Sequence, residues 1–409
     1  MKILVNCYAC SPYKGSEPGM GWNFVSSLAK RHELHIITES KFEQDIAKYF
    51  EENPEEKEYY RFYFIRKERH KKLRKIWPPS YYWFYRKWQK KAYQLALGLH
   101  KKENFDVVHQ LNMVGYREPG YLWKIKDVPF VWGPIGGFNI TPWNMLLSMG
   151  LYGLVFYGCR NIINLWQMHT MQRVKNAMQR ANALISATQD CKDAIKKLYG
   201  KNSTIVSEVG LVKLEEAIAT ERKNNEPLKI CWSGQHTPGK SLNLLIETLA
   251  KIDTTNIELH VIGKGRETSK WQEKARILGV KNIIWHGWVE RSKAITIMKE
   301  SHAFIITSMC DLTSTVILEA LSLGLPVLTM DHCGFSNVIN EKCGIKIPVT
   351  NQSQITDELG NAITWIEKDE EYRKQLSKGA ILRAKDFAWE EKARTLDNIY
   401  KQVAKNETL

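Results

Sequence analysis

Residues 308–327 read SMCDLTSTVILEALSLGLPV and follow directly on the apolar run HAFIITS at residues 302–308. The run is short and rich in β-branched residues, which predicts a buried strand. Asp311 follows the strand, a helix is predicted from Thr315, and Glu319 lies one turn into it. A strand that leads into a helix in this way aims backbone N–H groups and a carboxylate at one point. An α/β domain without a ligand can share the pattern, but the chemistry suits a sugar nucleotide, which carries phosphates and hydroxyls.

Short apolar runs alternate with helical patterns along the whole chain. The first half contains KILVNCYAC, ELHIIT, RFYFI, FDVVHQL, PFVWGP and ALISAT, and the second half contains LKICWSG, IELHVIG, NIIWHGW, HAFIITS, LPVLTM and GIKIPV. This alternation predicts parallel strands joined by crossover helices. Because 409 residues exceed one comfortable core, we expect two Rossmann-like α/β domains.

The predicted first domain covers residues 1–208 and the second covers residues 209–386, with the joint in the polar stretch 209–227. The final segment, residues 387–409, has the pattern of an amphipathic helix. Ligands of open parallel sheets bind outside the carboxyl ends of the strands. If the two sheets face each other, the site is therefore the cleft between the domains.

Positive charge is concentrated in the first half. The formal net charge is +15, and residues 1–200 hold 31 Lys and Arg against 17 Asp and Glu, a net of +14. Within residues 66–91 these cations are interleaved with Trp, Tyr and Phe, which favours an anionic membrane surface as partner. Nucleic acid would use the same residue types but is not the expected partner, and a solvated helical face is the simpler alternative.

A second stretch, residues 143–166, is strongly apolar. Arg160 and the limited length argue against a membrane-spanning helix. We expect the stretch either to lie in the membrane interface or to line a groove for a lipid tail, and a buried core segment is the alternative.

The eight cysteines are scattered, and Cys7 and Cys10 form a CxxC without a second pair at zinc spacing. No metal site is therefore predicted. The start of the chain resembles a strand rather than a signal peptide. A reduced, cytoplasmic protein is expected, held peripherally at the cytoplasmic face of the inner membrane.

Two glycine-rich segments follow strands of the first half, SPYKGSEPGMGWNF at residues 11–24 and PFVWGPIGG at residues 129–137. Glycine lets the backbone approach a ligand closely, here before a helix that is expected to begin near Trp22, and a flexible turn is the alternative. Neither segment has the GxGxxG spacing of a dinucleotide site. The candidate acceptor-binding residues in these segments are Gly15, Glu17, Gly19, Gly21, Gly136 and Gly137.

His109 is predicted at the carboxyl end of the strand FDVVHQL. An imidazole at that position can bond a sugar hydroxyl or move a proton near neutral pH. A structural role is the usual alternative for a single histidine.

In the second half, glycines end three strands and a lysine opens a helix. Lys240 near a helix start is a natural partner for a diphosphate, and the backbone of Gly287 and Val289 could bond a nucleobase. The candidate donor-binding residues are Gly234, Gln235, Lys240, Gly263, Gly287, Val289, Thr313, Ser314, Thr315 and Glu319. No Asp-x-Asp occurs in the sequence, so the usual acids for a metal-held diphosphate are missing and a metal-independent site is expected.

Taken together, these motifs resemble the retaining glycosyltransferases of family 4, which have the GT-B fold. The likeness is strongest to a bacterial branch with the loops GSEPG (residues 15–19) and WGPIGG (residues 132–137). The acid-x₇-Glu element of the family matches Asp311 and Glu319. Its strand-ending His matches His109, and its diphosphate-binding Lys matches Lys240. The chain departs from the family at Gln235, where Arg is usual, and at Asp311, where Glu is common.

The resemblance implies a GT-B architecture with two Rossmann-like domains facing each other across a cleft and a last helix that returns to the first domain. It further implies that Glu319 binds the ribose, Asp311 the donor sugar and Lys240 the diphosphate, so that these residues and His109 form the catalytic set. Residues 313–315 would add N–H groups at the diphosphate. His109 and the loop at residues 15–21 would face the acceptor.

The expected activity is transfer of a sugar, with retention, from a nucleoside diphosphate sugar to a lipid-linked saccharide in cell-surface polysaccharide synthesis. A UDP-sugar is favoured over a GDP-sugar, and no cofactor is expected. Two alternatives remain open. One is a phosphorylase or epimerase on the same fold, and the other is a non-catalytic protein that binds nucleotide sugars or nucleic acid.

Overall fold

The computed structural model describes residues 1–213, 221–223 and 226–405. The chain divides into two compact units. Unit 1 comprises Met1–Phe138, Gln167–Glu208 and Trp389–Leu409, and unit 2 comprises Asn139–Trp166 and Val209–Ala388. Within the predicted joint, residues 214–220 and 224–225 lie outside the described residues.

Unit 1 is built on a parallel sheet of short strands. They are β1 (Lys2–Cys7), β2 (Glu33–Glu39), β3 (Tyr60–Ile65), β4 (Val107–Asn112), β5 (Phe130–Ile135), β6 (Ala183–Ser186) and β7 (Thr204–Ile205). Their order across the sheet is β3-β2-β1-β4-β5-β6-β7. The order reverses between β1 and β4, and such a switch point is where open parallel sheets bind ligands.

The sheet of unit 2 has the same plan. Its strands are β8 (Leu228–Ser233), β9 (Ile257–Ile262), β10 (Ile283–Gly287), β11 (Ala303–Ile306), β12 (Val327–Met330) and β13 (Gly344–Ile347), in the order β10-β9-β8-β11-β12-β13. Alternate residues of β8 and β11 belong to two buried clusters, one on each face of the sheet. A parallel sheet covered on both faces explains why its strands read as continuous apolar runs.

Helices connect the strands in both units. In chain order they begin with α1 (Ser16–Ala29), α2 (Glu43–Glu52), α3 (Lys71–Ile76), α4 (Ser80–Glu103), α5 (Gly150–Thr170), α6 (Gln172–Arg180) and α7 (Gln189–Tyr199). They continue with α8 (Leu242–Leu249), α9 (Thr268–Ile277), α10 (Arg291–Lys299), α11 (Thr315–Ser322), α12 (Phe335–Val338), α13 (Gln352–Lys368), α14 (Glu370–Lys385) and α15 (Trp389–Ala404). The two Rossmann-like units agree with the predicted fold class.

The segment Asn139–Trp166 differs from its predicted place in the first domain, because it packs with unit 2. Met145, Leu146 and Met149 are buried in one core cluster of unit 2, together with Tyr157 of α5. One side of the apolar stretch at residues 143–166 therefore packs into the core of unit 2, a contact that the sequence alone did not reveal.

The other side of α5 is exposed and apolar. Leu151 is 79% exposed, Val155 58%, Ile162 61% and Ile163 53%. Val155 follows Leu151 by four residues, and Ile162 and Ile163 follow Val155 by seven and eight, which places all four on one face of the helix. Among the described residues, the stretch Trp143–Thr170 is long and apolar enough to cross a membrane by length and composition. We name the exposed residues Leu151, Val155, Ile162 and Ile163 the apolar ridge.

The last helix, α15, completes unit 1. It packs against α1, where the rings of Phe24 and Trp389 meet edge to face at 4.8 Å between centroids. The hydroxyl of Tyr400 lies 2.6 Å from Nδ1 of His109, in the middle of β4. Because Nε2 of His109 must donate to the carbonyl oxygen of Gly133 at 2.8 Å, Nδ1 accepts the hydrogen bond from Tyr400.

Replacing Tyr400 with Phe should destabilise the protein. The ring would still fill its place, but Nδ1 of His109 would be buried without a donor, at a cost of about 1–3 kcal/mol. Urea denaturation of Tyr400→Phe measures this change in the free energy of unfolding. Tyr82→Phe, at a residue that is 42% exposed, is the matched control, and an equal effect of both substitutions would contradict the assignment.

Candidate active site

The two loops that flank the switch point of unit 2 carry the central pair of the site. Lys240 lies in the loop after β8, Asp311 lies in the loop after β11, and their side chains form an ion pair. The loops are held together behind this pair, since Thr307 Oγ1 donates to the Lys240 carbonyl at 2.8 Å and Met309 N–H to the Gly239 carbonyl at 2.8 Å. Lys240 and Asp311, predicted from distant parts of the sequence, are therefore in direct contact.

Glu319 lies in α11, just beyond this pair. Ser314 is the N-cap of α11 and Thr315 is its first residue, so the helix begins where the sequence predicted. Glu319 accepts hydrogen bonds from Arg291 Nε at 3.0 Å and Nη2 at 2.7 Å. The Arg291 side chain is 79% exposed whereas that of Glu319 is 14% exposed, so the arginine covers the carboxylate from the solvent side.

Three predicted glycines line the ends of neighbouring strands. Gly234 N–H donates to the Ile262 carbonyl at 3.0 Å, and Gly263 N–H donates to the Gly287 carbonyl at 2.8 Å. Gly263 has φ +123°, and a Cβ there would lie 1.9 Å from the Gly234 carbonyl oxygen. Only glycine fits this position, because the backbones of β8 and β9 approach each other too closely for a side chain.

The remaining donor candidates differ in exposure. Gln235 is exposed in the loop after β8, while Val289 is partly buried against the core. Thr313 is buried beside Gly334, where a Cβ would lie 2.0 Å from the threonine Oγ1. The loop that carries Asp311 is thereby packed closely against the loop after β12.

His236 is a buried residue next to Lys240 that the sequence analysis did not single out. Its Nδ1 lies 2.8 Å from Thr268 Oγ1, and that hydroxyl donates to the Gly265 carbonyl. The imidazole therefore donates from Nδ1. Burial lowers the pKa of His236 to about 4, so the ring is neutral at pH 7 and positions the loop rather than adding charge.

Helix α5 also holds both loops of the central pair. Tyr157 accepts a hydrogen bond from Gly239 N–H at 3.2 Å, and Arg160 Nη1 donates to Cys310 Sγ at 2.7 Å. Gly239 and Cys310 directly precede Lys240 and Asp311. The inner face of α5 is thus part of the site, a role that no sequence motif indicated.

In unit 1, two acceptor candidates meet at Val114, just beyond β4. Glu17 Oε1 accepts from Val114 N–H at 3.1 Å, and Gly136 N–H donates to the Val114 carbonyl at 2.7 Å. Burial raises the pKa of Glu17. Glu17, from the helix after β1, and Gly136, from the loop after β5, thus meet beyond the carboxyl end of β4, at the switch point of unit 1.

The glycines of the segment at residues 11–24 allow close packing of a helix rather than a turn of the backbone. The helix was expected to begin near Trp22 but α1 begins at Ser16, so Gly19 and Gly21 are helical and Gly15 is the N-cap. A Cβ on Gly21 would lie 2.1 Å from the Ala9 carbonyl oxygen. Close packing of α1 on the end of β1 therefore accounts for this glycine. Gly137, with φ +86°, does make a turn after β5.

The predicted position of His109 is wrong. β4 continues to Asn112, so His109 lies in the middle of the strand and is fully buried. Both ring nitrogens are used by Tyr400 and Gly133, and burial lowers the pKa of His109 to about 4. The histidine stabilises unit 1 and presents no ring nitrogen to a sugar hydroxyl in this arrangement, so its catalytic role stays a prediction.

Within the described ranges, no group of three or more His, Cys, Asp or Glu side chains could hold a metal ion. Cys7 and Cys10 are both buried and form no disulfide with each other. The one positively charged group in direct contact with Asp311 is Lys240, as far as the described residues extend.

Comparison with known proteins points to the same unit that holds Lys240, Asp311 and Glu319. Residues 214–383 match the family model described as "Glycosyl transferases group 1", so unit 2 contains a glycosyl transferases group 1 domain. The lipopolysaccharide 1,6-galactosyltransferase of Salmonella typhimurium is 28% identical over 184 residues, which are 44% of this chain. The match spans 50% of the length of that relative.

Two solved structures show the same fold over nearly the whole chain. The lipopolysaccharide outer core galactosyltransferase WaaB in its apo form has a TM-score of 0.66 at 16% identity, and it covers 98% of this chain and 100% of its own. Anabaena Alr3699/HepE in complex with UDP has a TM-score of 0.65 at 15% identity with the same coverage. The chain therefore has the GT-B fold that the motifs predicted.

The buried His236 should make stability depend on pH. Because its pKa is about 4 when folded and about 6.5 in an unfolded chain, the unfolded state binds more protons, and stability falls as pH drops from about 6.5 to about 4. We expect His236→Gln to reduce the slope of unfolding free energy against pH near pH 5 by roughly 1.2 kcal/mol per pH unit. Denaturant melts at several pH values, with His169→Gln as the exposed control, measure this slope, and an unchanged slope would refute the burial argument.

Proposed function

We propose that this protein is a retaining glycosyltransferase that moves a sugar from a UDP-sugar to a saccharide acceptor in cell-surface polysaccharide synthesis. The observation that carries the proposal is the contact between Lys240 and Asp311 at the switch point of unit 2. It places a cation and a carboxylate beside the first turn of α11, whose N–H groups have no acceptor within the helix. The glycosyl transferases group 1 domain at residues 214–383 supports the same activity.

The ion pair suggests how the donor would be bound. A diphosphate carries more negative charge than Asp311, so it would draw Lys240 away and release the carboxylate. Asp311 could then accept hydrogen bonds from the donor sugar. The carboxylate of Glu319 would accept hydrogen bonds from the ribose hydroxyls. The ribose would either displace Arg291 from this carboxylate or share it with Arg291.

The leaving group would be stabilised by charge rather than by a metal ion. As the sugar–phosphate bond breaks, negative charge grows on the diphosphate, and preorganised positive groups lower the energy of that state most. Lys240 and the N–H groups of Ser314 and Thr315 would supply this stabilisation. The transfer is proposed to retain the anomeric configuration, with attack from the face of the departing phosphate and no covalent intermediate on the protein.

UDP is favoured as the nucleotide because the similar HepE structure contains UDP. The lipopolysaccharide galactosyltransferase relative favours a saccharide acceptor of the same kind. We propose that the acceptor is linked to a lipid and is reached at the cytoplasmic face of the inner membrane.

The membrane contact is assigned to the apolar ridge of α5. Arg160 is the one Lys, Arg, Asp or Glu in α5, and its Nη1 donates to Cys310 Sγ on the inner side of the helix, so no charged side chain of α5 belongs to the ridge. An uncharged apolar face of this length, flanked by Trp143 and Trp166, is typical of helices that lie in the membrane interface. The net charge of +15 adds attraction to anionic lipid.

Thermal shift across nucleoside diphosphates and their sugars tests the donor site. A UDP-sugar at 100 times its dissociation constant should add about 2.7 kcal/mol of stability. Lys240→Ala should weaken binding by about 10- to 150-fold, because it removes a charge-assisted contact worth about 1.5–3 kcal/mol. Lys270→Ala, a lysine of the same unit that is 71% exposed, is the control.

The outcomes separate the possible functions. Stabilisation by one UDP-sugar that persists in EDTA and is lost in Lys240→Ala would support a metal-independent transferase. A requirement for added divalent metal would contradict the role of Lys240. If no nucleotide or nucleotide sugar shifts the melting temperature, the donor site itself is wrong.

Flotation with vesicles tests the membrane contact. Leu151→Asn with Ile162→Asn should lower vesicle binding at least about 100-fold, since each exposed side chain loses about 1.5–3 kcal/mol of burial in lipid, and should leave the melting temperature unchanged. Lys197→Gln with Lys201→Gln removes two surface charges of unit 1 as the control. If the ridge variant instead changes only the oligomeric state, the ridge is an interface between two copies of the chain.

A further inference from the structure

Unit 1 contains a group of cations at the carboxyl ends of β1, β2 and β3 that the proposed reaction does not use. We name Lys41, Lys67, Arg69 and Arg74 the cationic cluster. Two of them, Lys41 and Arg69, pair with the carboxylate of Glu39, the last residue of β2, which is fully buried. Arg69 bonds Glu39, Lys41 Nζ lies 3.6 Å from it, and one of its oxygens accepts no hydrogen bond from the residues described.

Lys67 is the buried member of the cluster. It is 4% exposed, and its Nζ donates to the Tyr8 hydroxyl at 3.0 Å and lies 3.5 Å from the centroid of the Tyr81 ring. Arg74 stands 5.2 Å from the same ring. Within the described chain Lys67 forms no ion pair, so a buried ammonium group is held by a hydroxyl and aromatic rings rather than by an anion.

The charges of the cluster are not balanced. Burial is the main cause that lowers the pKa of Lys67 to about 7, and Arg69, Lys41 and Arg74 lower it further while Glu39 opposes them. Glu17 is the other carboxylate nearby, and Lys41 acts on its pKa. In the described residues Lys41 and Arg69 share the single carboxylate of Glu39, and this leaves an excess of positive charge that a phosphate dianion would cancel.

The cluster is open on one side. The side chains of Lys41 and Arg69 are each 44% exposed, whereas Lys67 is 4% exposed. A flat layer of headgroups would meet the two exposed cations but not Lys67. A single phosphoryl group that projects from a larger molecule could contact all three, and Arg is well suited to bind it through two hydrogen bonds.

We propose that the cationic cluster binds a phosphoryl group of the acceptor. This inference rests on the proposed function, because it assigns the cluster to the saccharide that receives the sugar. Glu17, an acceptor candidate at the switch point of unit 1, belongs to the same unit: burial raises its pKa, and the positive charge of Lys41 partly opposes that rise. The phosphoryl group is either an ester on the saccharide or the diphosphate that joins the saccharide to its lipid.

Calorimetric titration of the full chain, saturated with UDP, tests the proposal. Glucose 6-phosphate and vesicles that contain a polyprenyl diphosphate are the two probes, with glucose and vesicles of phosphatidylcholine alone as blanks. Lys41→Gln with Arg69→Gln should weaken binding of at least one probe by 10-fold or more. The variant removes both cations that pair with the buried Glu39, so circular dichroism checks that it folds. Lys41→Gln alone keeps the bond from Arg69 and should show a smaller loss of binding in the same direction.

Lys87→Gln with Lys91→Gln is the matched control. It also removes two positive charges from unit 1, at lysines that lie beside the exposed Glu68, and it should change affinity less than 2-fold. An equal loss in the control would show general attraction and overturn the proposal, as would the absence of saturable binding to either probe.

The two probes identify the source of the phosphoryl group. Loss of glucose 6-phosphate binding in the cluster variant indicates a phosphorylated saccharide, and loss restricted to the vesicles indicates the lipid diphosphate. Lys240→Ala should lose UDP but keep cluster binding. A failure of UDP to bind the wild type would therefore count against the donor site, while a cluster variant that binds like the wild type counts against this inference.

Discussion

The contact between Lys240 and Asp311 depends on the order of the strands in unit 2. The two residues are 71 positions apart, and they meet because β8 and β11 are neighbours at the point where the strand order reverses. The same reversal opens a gap beyond the strand ends, since the helices on either side diverge there. The charge pair therefore lies at the one edge of the sheet where a ligand can approach the strand ends and a helix N-terminus together.

Helix α5 links this pair to the surface of the protein. Its inner side reaches the pair through Tyr157 and Arg160, and its outer side presents the apolar ridge. A helix with polar contacts inward and apolar residues outward reverses the usual arrangement of a surface helix. The reversal is explained if the outer side meets lipid and the inner side holds the loops that bind a charged ligand.

The strands, the two Rossmann-like units and the meeting of Lys240 with Asp311 were predictable because they depend on local patterns. Apolar β-branched runs specify strands, and residues after a strand end lie at the same edge of a parallel sheet. The start of α1 was missed because the glycines in GSEPGMG lower helix propensity, and tertiary packing outweighs that preference. The partner of the segment Asn139–Trp166 and the contact of Arg291 with Glu319 depend on which residues meet in space, which neither periodicity nor motif spacing records.

The cations of the basic stretch at residues 66–91 lie in two different environments. The sequence presents its cations as a single group, but the fold separates them. Lys67 and Arg69 follow β3 and turn toward the strand ends, where burial makes an unbalanced charge costly unless an anion is bound. Lys87 and Lys91 lie on α4 beside Glu68 in solvent, where water screens their charge and they add little stability. Burial, rather than the number of lysines and arginines, therefore separates the two parts of this stretch. The part near the strand ends can select a ligand, and the part on α4 contributes only to the overall positive potential of unit 1.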